Sequence, residues 1–337
     1  MFIGRTPDEA DLGLDGSRQE AFHAAAGSQA RAVFGNSVFV RGVVEVSNFC
    51  RENCHYCGMR RDNRTLDRYR AAHDELAELL VHHRPASLTD VNIQSGEDPV
   101  AARDVVLPLV RTLRRETRLG ISVCLGTLSP SLTRELREAG ATLYIIKFEL
   151  ADPSRYAALE APGTLAERTG EIRRLADEGW QVSSGFIAGL PGQAASDAMD
   201  NLRLAAALPL AGCSVSPFVA GDETPLSGAA SGPLELTLNC MAAMRLMRPD
   251  WVIPAVSALS LAGPADGYRR GLRVGANLCT INLTPEGVRR DYLLYKRDRF
   301  IMNEERILGA IAAEGLSVSR SSLAGFLAGR DREPAVA

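Results

Sequence analysis

The chain has 337 residues, 46% of them hydrophobic, with 38 basic residues against 41 acidic and a net charge of -3. That length supports a large core, and the near balance of charge gives no electrostatic footprint for nucleic acid or an anionic membrane. No run reaches the ~18 apolar residues of a membrane span, and acids stand where a signal peptide needs an apolar stretch, so a soluble cytoplasmic protein is expected.

In chain order, residues 5–34 read as helical and stand outside the strand–helix repeat. Short runs rich in Val, Ile and Leu then recur at 40–46, 90–94, 120–125, 142–148, 181–187, 213–217, 251–254 and 277–282. Most are apolar on both faces, as buried parallel strands are. Amphipathic stretches at 74–83, 100–117, 165–178, 197–207 and 236–247 lie between them. Eight strands, each followed by a helix or a long excursion, predict an α/β fold, a parallel (β/α)8 barrel of the TIM type over residues 37–327. Residues 1–36 are read as an N-terminal helical extension that caps one barrel end. The tail, 328–337, holds charge, proline and small residues and is expected to be disordered. In such barrels the chemistry sits at the C-terminal ends of strands, and the motifs of this chain that carry chemistry fall there.

Seven cysteines, an odd number in a long chain, argue against a disulfide framework. Cys124, Cys213, Cys240 and Cys279 are scattered through apolar surroundings and read as small buried hydrophobes. Cys50, Cys54 and Cys57 crowd into one loop after the first strand. Three thiolates at C-x3-C-x2-C can hold three irons of one cubane and leave the fourth open, and thiolate is the ligand that iron–sulfur chemistry selects. An open iron can chelate the amino and carboxylate groups of S-adenosylmethionine (SAM). The alternative is structural zinc, which wants four ligands; only His55, cramped between Cys54 and Cys57, stands near.

With Tyr56 as the aromatic, C-x3-C-x-aromatic-C resembles the signature of the radical SAM superfamily. Further stretches, spread from Phe34 to about Gly315, are similar to the branch that contains biotin synthase, the [FeFe]-hydrogenase maturase HydE and the methylornithine synthase PylB. Arg68-Tyr69-Arg70 before an acidic helix start and Gly189-Leu-Pro-Gly-Gln193 look nearest to HydE, as does Gly275-Ala-Asn277 leading to Asn282-Leu-Thr-Pro285. The resemblance implies one [4Fe-4S] cluster on Cys50, Cys54 and Cys57, a radical SAM barrel, and SAM as cofactor.

It also assigns SAM contacts. Gln94-Ser95-Gly96-Glu97 is similar to the family motif that meets the SAM amino group; read alone, it is an ordinary loop in which Glu97 could accept from an ammonium. Lys147 and Glu149 end the fourth strand on one side, where unpartnered charge is costly. The resemblance gives Glu149 to SAM, and the competing reading is a Lys147–Glu149 pair. Arg168 aligns with the arginine that grips the SAM carboxylate, a task for a guanidinium fork. Ile187 stands at the strand-five position that lies against adenine, but Gly192-Gln193 replaces the usual acid there.

Other departures narrow the reaction. Biotin synthase's second-cluster cysteines fall on Val91, Ser122 and Ser183, which disfavours sulfur insertion. The lysine-binding positions of PylB fall on Ser214, Val256 and Ala258. Ser216, Ser257, Thr280 and Asn282 are left as neutral candidates for substrate contact. The sequence thus predicts hydrogen abstraction from a small, amino-acid-derived substrate, followed by rearrangement or carbon–carbon cleavage, with an electron donor such as flavodoxin or ferredoxin. The alternatives are a HydE-like metallocofactor maturase and a cluster-binding scaffold or sensor without catalysis. Glu97 and Arg168 argue against the last, since a scaffold needs no SAM contacts.

Overall fold

The computed structural model describes residues 2–263, 266–297 and 301–329. Seven parallel strands, β1 (Ser37–Ser47), β2 (Asp90–Ser95), β3 (Gly120–Cys124), β4 (Leu143–Ile145), β5 (Gln181–Ala188), β6 (Gly212–Pro217) and β7 (Leu278–Asn282), pair in the order β6-β5-β4-β3-β2-β1-β7. The ring closes through residues 251–255. Val252 bridges Gly212 and Pro254 bridges Leu278, with Cys213 N donating to Val252 O (3.1 Å) and Ala255 N to Leu278 O (2.9 Å). The predicted seventh strand is therefore only two bridges, because Pro254 has no N–H to donate to a ladder. A two-residue strand, β8 (Ser317–Val318), pairs with the start of β1.

Two further elements depart from the expected pattern. The fourth strand stops at Ile145 because Phe148 N and Glu149 N both reach Gly185 O, at 3.1 and 3.0 Å. This bulge sets Glu149 at φ +63°, a left-handed conformation that a non-glycine residue adopts at a cost. The expected helix over 100–117 is interrupted by a π turn at Ala102–Val106 just before Pro108, whose missing N–H cannot continue the regular ladder.

Side chains alternate across the strands as the pleat requires. On β1, Val40, Val44 and Val46 pack outward against helices, while Arg41, Val43 and Glu45 face the barrel interior. Three helices frame the site and its flank: α1 (Gly16–Phe34), α2 (Leu165–Asp177) and α3 (Leu234–Met247). The N-terminal α1 does not cap a barrel end. It lies along α3 and α4 (Gly267–Val274) on the outer flank, tied by Gln19 Nε2 to Asn239 Oδ1 at 3.0 Å.

The lower barrel end is closed instead by α5 (Leu323–Leu327). Asp90, at the start of β2, accepts Leu323 N (2.7 Å) and Ala324 N (3.0 Å), satisfying donors that a helix N-terminus leaves orphaned. Phe326 packs against the rings of Phe34 and Phe39 at 5.4 and 5.3 Å. Asp90→Ala is expected to lower stability by about 1–3 kcal/mol, since two buried donors lose a charged partner. Thermal unfolding reads this directly, and an unchanged midpoint would count against Asp90 as the tie. Of the tail, residues 330–337 lie outside the described residues.

Candidate active site

Cys50, Cys54 and Cys57, all free thiols, stand on the loop after β1. Cys57 N closes a turn on Cys54 O (3.2 Å), and His55 N on Leu159 O (2.9 Å) anchors the loop's outer edge. The His55 ring turns to Glu160, 3.2 Å away, and so is not drawn toward the sulfurs. Burial pushes all three thiols up, Cys57 to about 12, and neighbouring thiol charge adds to the rise at Cys54 and Cys57. Thiolates packed this way call for a compensating positive group. Among the described residues no three His, Cys, Asp or Glu side chains converge on a single ion position. Three thiols with His55 turned away fit a cubane, which gives each sulfur its own iron, better than a zinc ion that wants four ligands.

The loop after β2 is laced to this one. Gly96 N donates to Ser47 O (3.0 Å), Glu97 N to Cys50 Sγ (3.3 Å) and Arg51 N to Glu97 O (3.2 Å). A Cβ on Gly96 would stand 2.3 Å from Phe49 O, so only glycine admits this approach. Gly126, which had no sequence signal of its own, has φ +70° and clears the space that Glu97 fills; a Cβ there would meet Glu97 Cγ at 2.0 Å.

Asp98 fixes the same loop from behind, accepting Ser47 Oγ (2.7 Å) and both Nε and Nη2 of Arg70 (2.7 and 3.1 Å). Burial raises its pKa, but Arg70 and Ser47 outweigh burial and hold the carboxyl below its ordinary value. A depressed folded value stabilises above the unfolded pKa of about 3.9, and that stability is lost as pH falls through the folded one. Asp98→Asn is expected to cost about 1–2 kcal/mol at neutral pH and to flatten the acid limb of the stability profile, Arg70 being partly solvated. Thermal unfolding near pH 7 and near pH 3 separates the two; an acid limb as steep as wild type would refute the assignment.

Arg168, on α2, is 3% exposed and donates from Nη2 to Glu97 Oε1 at 2.6 Å. Arg51 Nη2 reaches the other oxygen at 3.2 Å. Burial disfavours the Arg168 charge, but Glu97 outweighs it and raises the pKa. The two residues that the resemblance assigns to opposite ends of the SAM amino acid thus hold each other, while Arg168 Nε has no partner. Lys147 and Glu149 likewise pair, at 3.2 Å. Burial opposes the Lys147 charge, and Glu149 more than offsets this. Tyr56 and Ile187 meet in one apolar cluster with Leu150, Tyr156 and Phe218. Gln193 turns back on its own loop, accepting Gly189 N at 2.6 Å.

The residues that the sequence assigns to the cluster, to SAM and to substrate line one cavity of about 380 Å³ at the C-terminal ends of the strands: the three cysteines, Tyr56, Gln94, Ser95, Gly96, Glu97, Glu149, Arg168 and Ile187 together with Ser216, Ser257, Thr280 and Asn282. Ser216 is buried and bonded to Tyr295, whereas Ser257 is exposed at the rim. Thr280 Oγ1 accepts Arg41 Nε (3.2 Å), and Asn282 Nδ2 donates to Glu45 Oε1 (3.2 Å). The sequence reading missed Arg41, Glu45 and Tyr295, all of which face the same space. Arg41 and Glu45 carried a usable signal, charge at alternate positions of an otherwise apolar strand. Cys124, read as a buried hydrophobe, also lines the cavity, because its β3 position faces the barrel axis. Burial pushes its thiol up to about 11.

A parallel (β/α)8 barrel with a three-cysteine loop after its first strand defines a class, and the chain belongs to it: residues 44–205 match the radical SAM superfamily. Members of this superfamily use a [4Fe-4S] cluster and SAM. Among curated relatives, the [FeFe] hydrogenase maturase subunit HydE of Thermotoga maritima is 33% identical over 276 residues, 82% of this chain and 79% of the relative. The 3-methylornithine synthase of Methanosarcina barkeri is 27% identical, covering 83% and 79%. The crystal structure of the methylornithine synthase PylB superposes with a TM-score of 0.82 over 94% of this chain and 95% of that one, at 24% identity, and so attests the fold.

Proposed function

We propose that this chain cleaves SAM reductively and uses the resulting radical to abstract hydrogen from a small, amino-acid-derived substrate, leading to rearrangement or carbon–carbon cleavage. The observation that carries the proposal is convergence: the three thiols, the Glu97–Arg168 pair, Glu149 and the Tyr56–Ile187 apolar wall all face one cavity. When bound, the cluster and SAM supply one-electron cleavage of a carbon–sulfur bond to a 5′-deoxyadenosyl radical. The chain's own part is to bind, orient and exclude water. Arg168, with its orphaned Nε, offers a guanidinium to the SAM carboxylate, and Glu97 offers a carboxylate to the ammonium. Glu149, held toward the cavity by its left-handed backbone, offers an acceptor for a ribose hydroxyl. Below them Arg41, Glu45, Lys147 and Tyr295 provide the charges and hydroxyl that a zwitterionic substrate would use.

Sulfur insertion through a second cluster has no thiols to draw on at the corresponding positions. Ser122 Oγ donates to Val91 O (3.1 Å) and Ser183 Oγ to Gly212 O (3.2 Å), so both are engaged with neighbouring strands. A second reading, a HydE-like maturase acting on an iron- or sulfur-containing precursor, is favoured by the 33% identity to HydE. Anaerobic reconstitution tests the shared core of both. About four irons per chain and release of 5′-deoxyadenosine on reduction with dithionite are expected; full iron loading with no SAM cleavage would defeat it. Stimulation of that release by free amino acids, and not by iron–thiolate compounds, selects the first reading over the second.

A further inference from the structure

The cysteine loop, residues 48–67, carries neither strand nor helix, so its backbone carbonyls must find partners elsewhere. It folds back through three successive turns: Cys57 N donates to Cys54 O (3.2 Å), Arg60 N to Cys57 O (3.1 Å) and Asn63 N to Arg60 O (3.0 Å). One side chain, Arg68, then gathers both arms. Its Nη1 donates to Asn48 O, ahead of the first cysteine, and to Met59 O (2.9 Å), beyond the last. Its Nη2 donates to Arg60 O (2.7 Å) and Asn63 O (3.3 Å). Arg68 is itself fixed from the base of the loop, where Asn48 Nδ2 donates to Asp67 O (2.7 Å) and Tyr69 N to Asn48 Oδ1 (2.8 Å). Four neutral carbonyls leave the guanidinium charge uncancelled, and arginine keeps that charge at any working pH. Among the described residues no carboxylate pairs with it: Asp62 is held by Arg61 (3.3 Å) and Asn53 (3.0 Å), and Glu52 by Arg51 (3.2 Å). Burial lowers the Arg68 pKa, Cys50 and Cys57 oppose the lowering, and Arg64 adds to it.

We infer that Arg68 is a positioning residue for the cluster: it holds the three thiols in place before iron arrives, and its charge eases the entry of the electron that the cluster takes up. The inference rests on the radical SAM reading above. A planar guanidinium suits the first task, because its fork of donors spans carbonyls on both sides of the cysteines at once. The second task follows from charge. One electron from the reductant makes the cluster more negative by one, and a fixed cation beside its thiolates stabilises that form over the oxidised one. Unit charges about 10 Å apart, at an effective dielectric of ~20, interact strongly enough to move an equilibrium constant about tenfold. For a one-electron couple, tenfold is ~59 mV.

The test compares anaerobically reconstituted wild type, Arg68→Gln and Arg68→Lys by iron content and by redox titration of the cluster. Arg68→Gln removes the charge and most of the donors. It is expected to load less iron, and the clusters it does hold should have a midpoint lowered by about tenfold in the equilibrium constant, ~59 mV. Arg68→Lys keeps the charge but cannot span four carbonyls, so its loading should fall while its midpoint stays near that of wild type. Full loading of about four irons in both variants would overturn the positioning role. A wild-type midpoint in Arg68→Gln would overturn the electrostatic one. Should neither variant hold enough cluster to titrate, Arg64→Glu reads the charge instead, because it sets an acid beside Arg68 and leaves the four carbonyl contacts alone. Its midpoint is expected to fall, and an unchanged value would again overturn the electrostatic role. Wild type that takes up no iron would strike the radical SAM reading itself, whatever the variants do.

Discussion

Cys50→Ala, Cys54→Ala and Cys57→Ala are each expected to abolish the broad visible absorption of the reconstituted protein and all SAM cleavage. Each thiol would hold its own iron, and the histidine nearest them in sequence, His55, is committed to Glu160. The effect should be complete, because a cubane held by three thiols would keep only two protein ligands. Alanine at Cys124, Cys213, Cys240 or Cys279 should leave about four irons per chain. Cys213, Cys240 and Cys279 are fully buried and do not line the cavity. Cys124→Ala is the sharper control, since its thiol faces the same cavity. Iron analysis and SAM cleavage decide the matter: cleavage retained in any of the first three variants would remove the assignment.

The second large effect concerns Arg168 and Glu97. Each would make a charge-assisted contact to SAM worth roughly 1.5–3 kcal/mol, so Arg168→Ala and Glu97→Ala should each weaken SAM binding about 10- to 100-fold. The structure adds a distinction between them. Glu97→Ala strands a nearly inaccessible guanidinium, and breaking a buried pair from one side costs about 3–5 kcal/mol of stability. Arg168→Ala leaves Glu97 still held by Arg51, whose side chain reaches solvent, so the fold should suffer less. Arg168→Lys should recover only part of the affinity, since an ammonium lacks the planar fork. Calorimetric titration of SAM into cluster-loaded protein, with thermal unfolding alongside, measures both quantities. Wild-type affinity in both alanine variants would show that SAM is held elsewhere.

Much of this architecture was legible because it is local. The cysteine spacing lies within eight residues, and strands apolar on both faces announce a parallel barrel. What escaped was set by distance or by backbone geometry. Nothing in either segment says that Glu97 and Arg168, 71 residues apart, will bond to each other rather than await a ligand. Gly126 is read as a loop glycine until the Glu97 side chain is seen to occupy the room it leaves. The end of the fourth strand was drawn too long because a bulge at Phe148 and Glu149 has no mark in the sequence. The extension at the N-terminus is expected to cap one barrel end, yet the end that is closed is closed by a five-residue helix near the other terminus, too short to stand out by periodicity.

That floor has a bearing on how the protein comes into being. The last strand of the ring ends at Asn282, and the helix that seals the bottom begins at Leu323. A ribosome adding about 5–20 residues per second needs a few seconds to make the intervening stretch. During that time Phe39, Leu143, Val252 and Leu278, which pack with Leu323, Phe326 and Leu327 at the lower rim, lack those three partners. Those side chains are the ones a chaperone, or another unfinished chain, would meet first. The interval closes when Asp90 catches the backbone of Leu323 and Ala324.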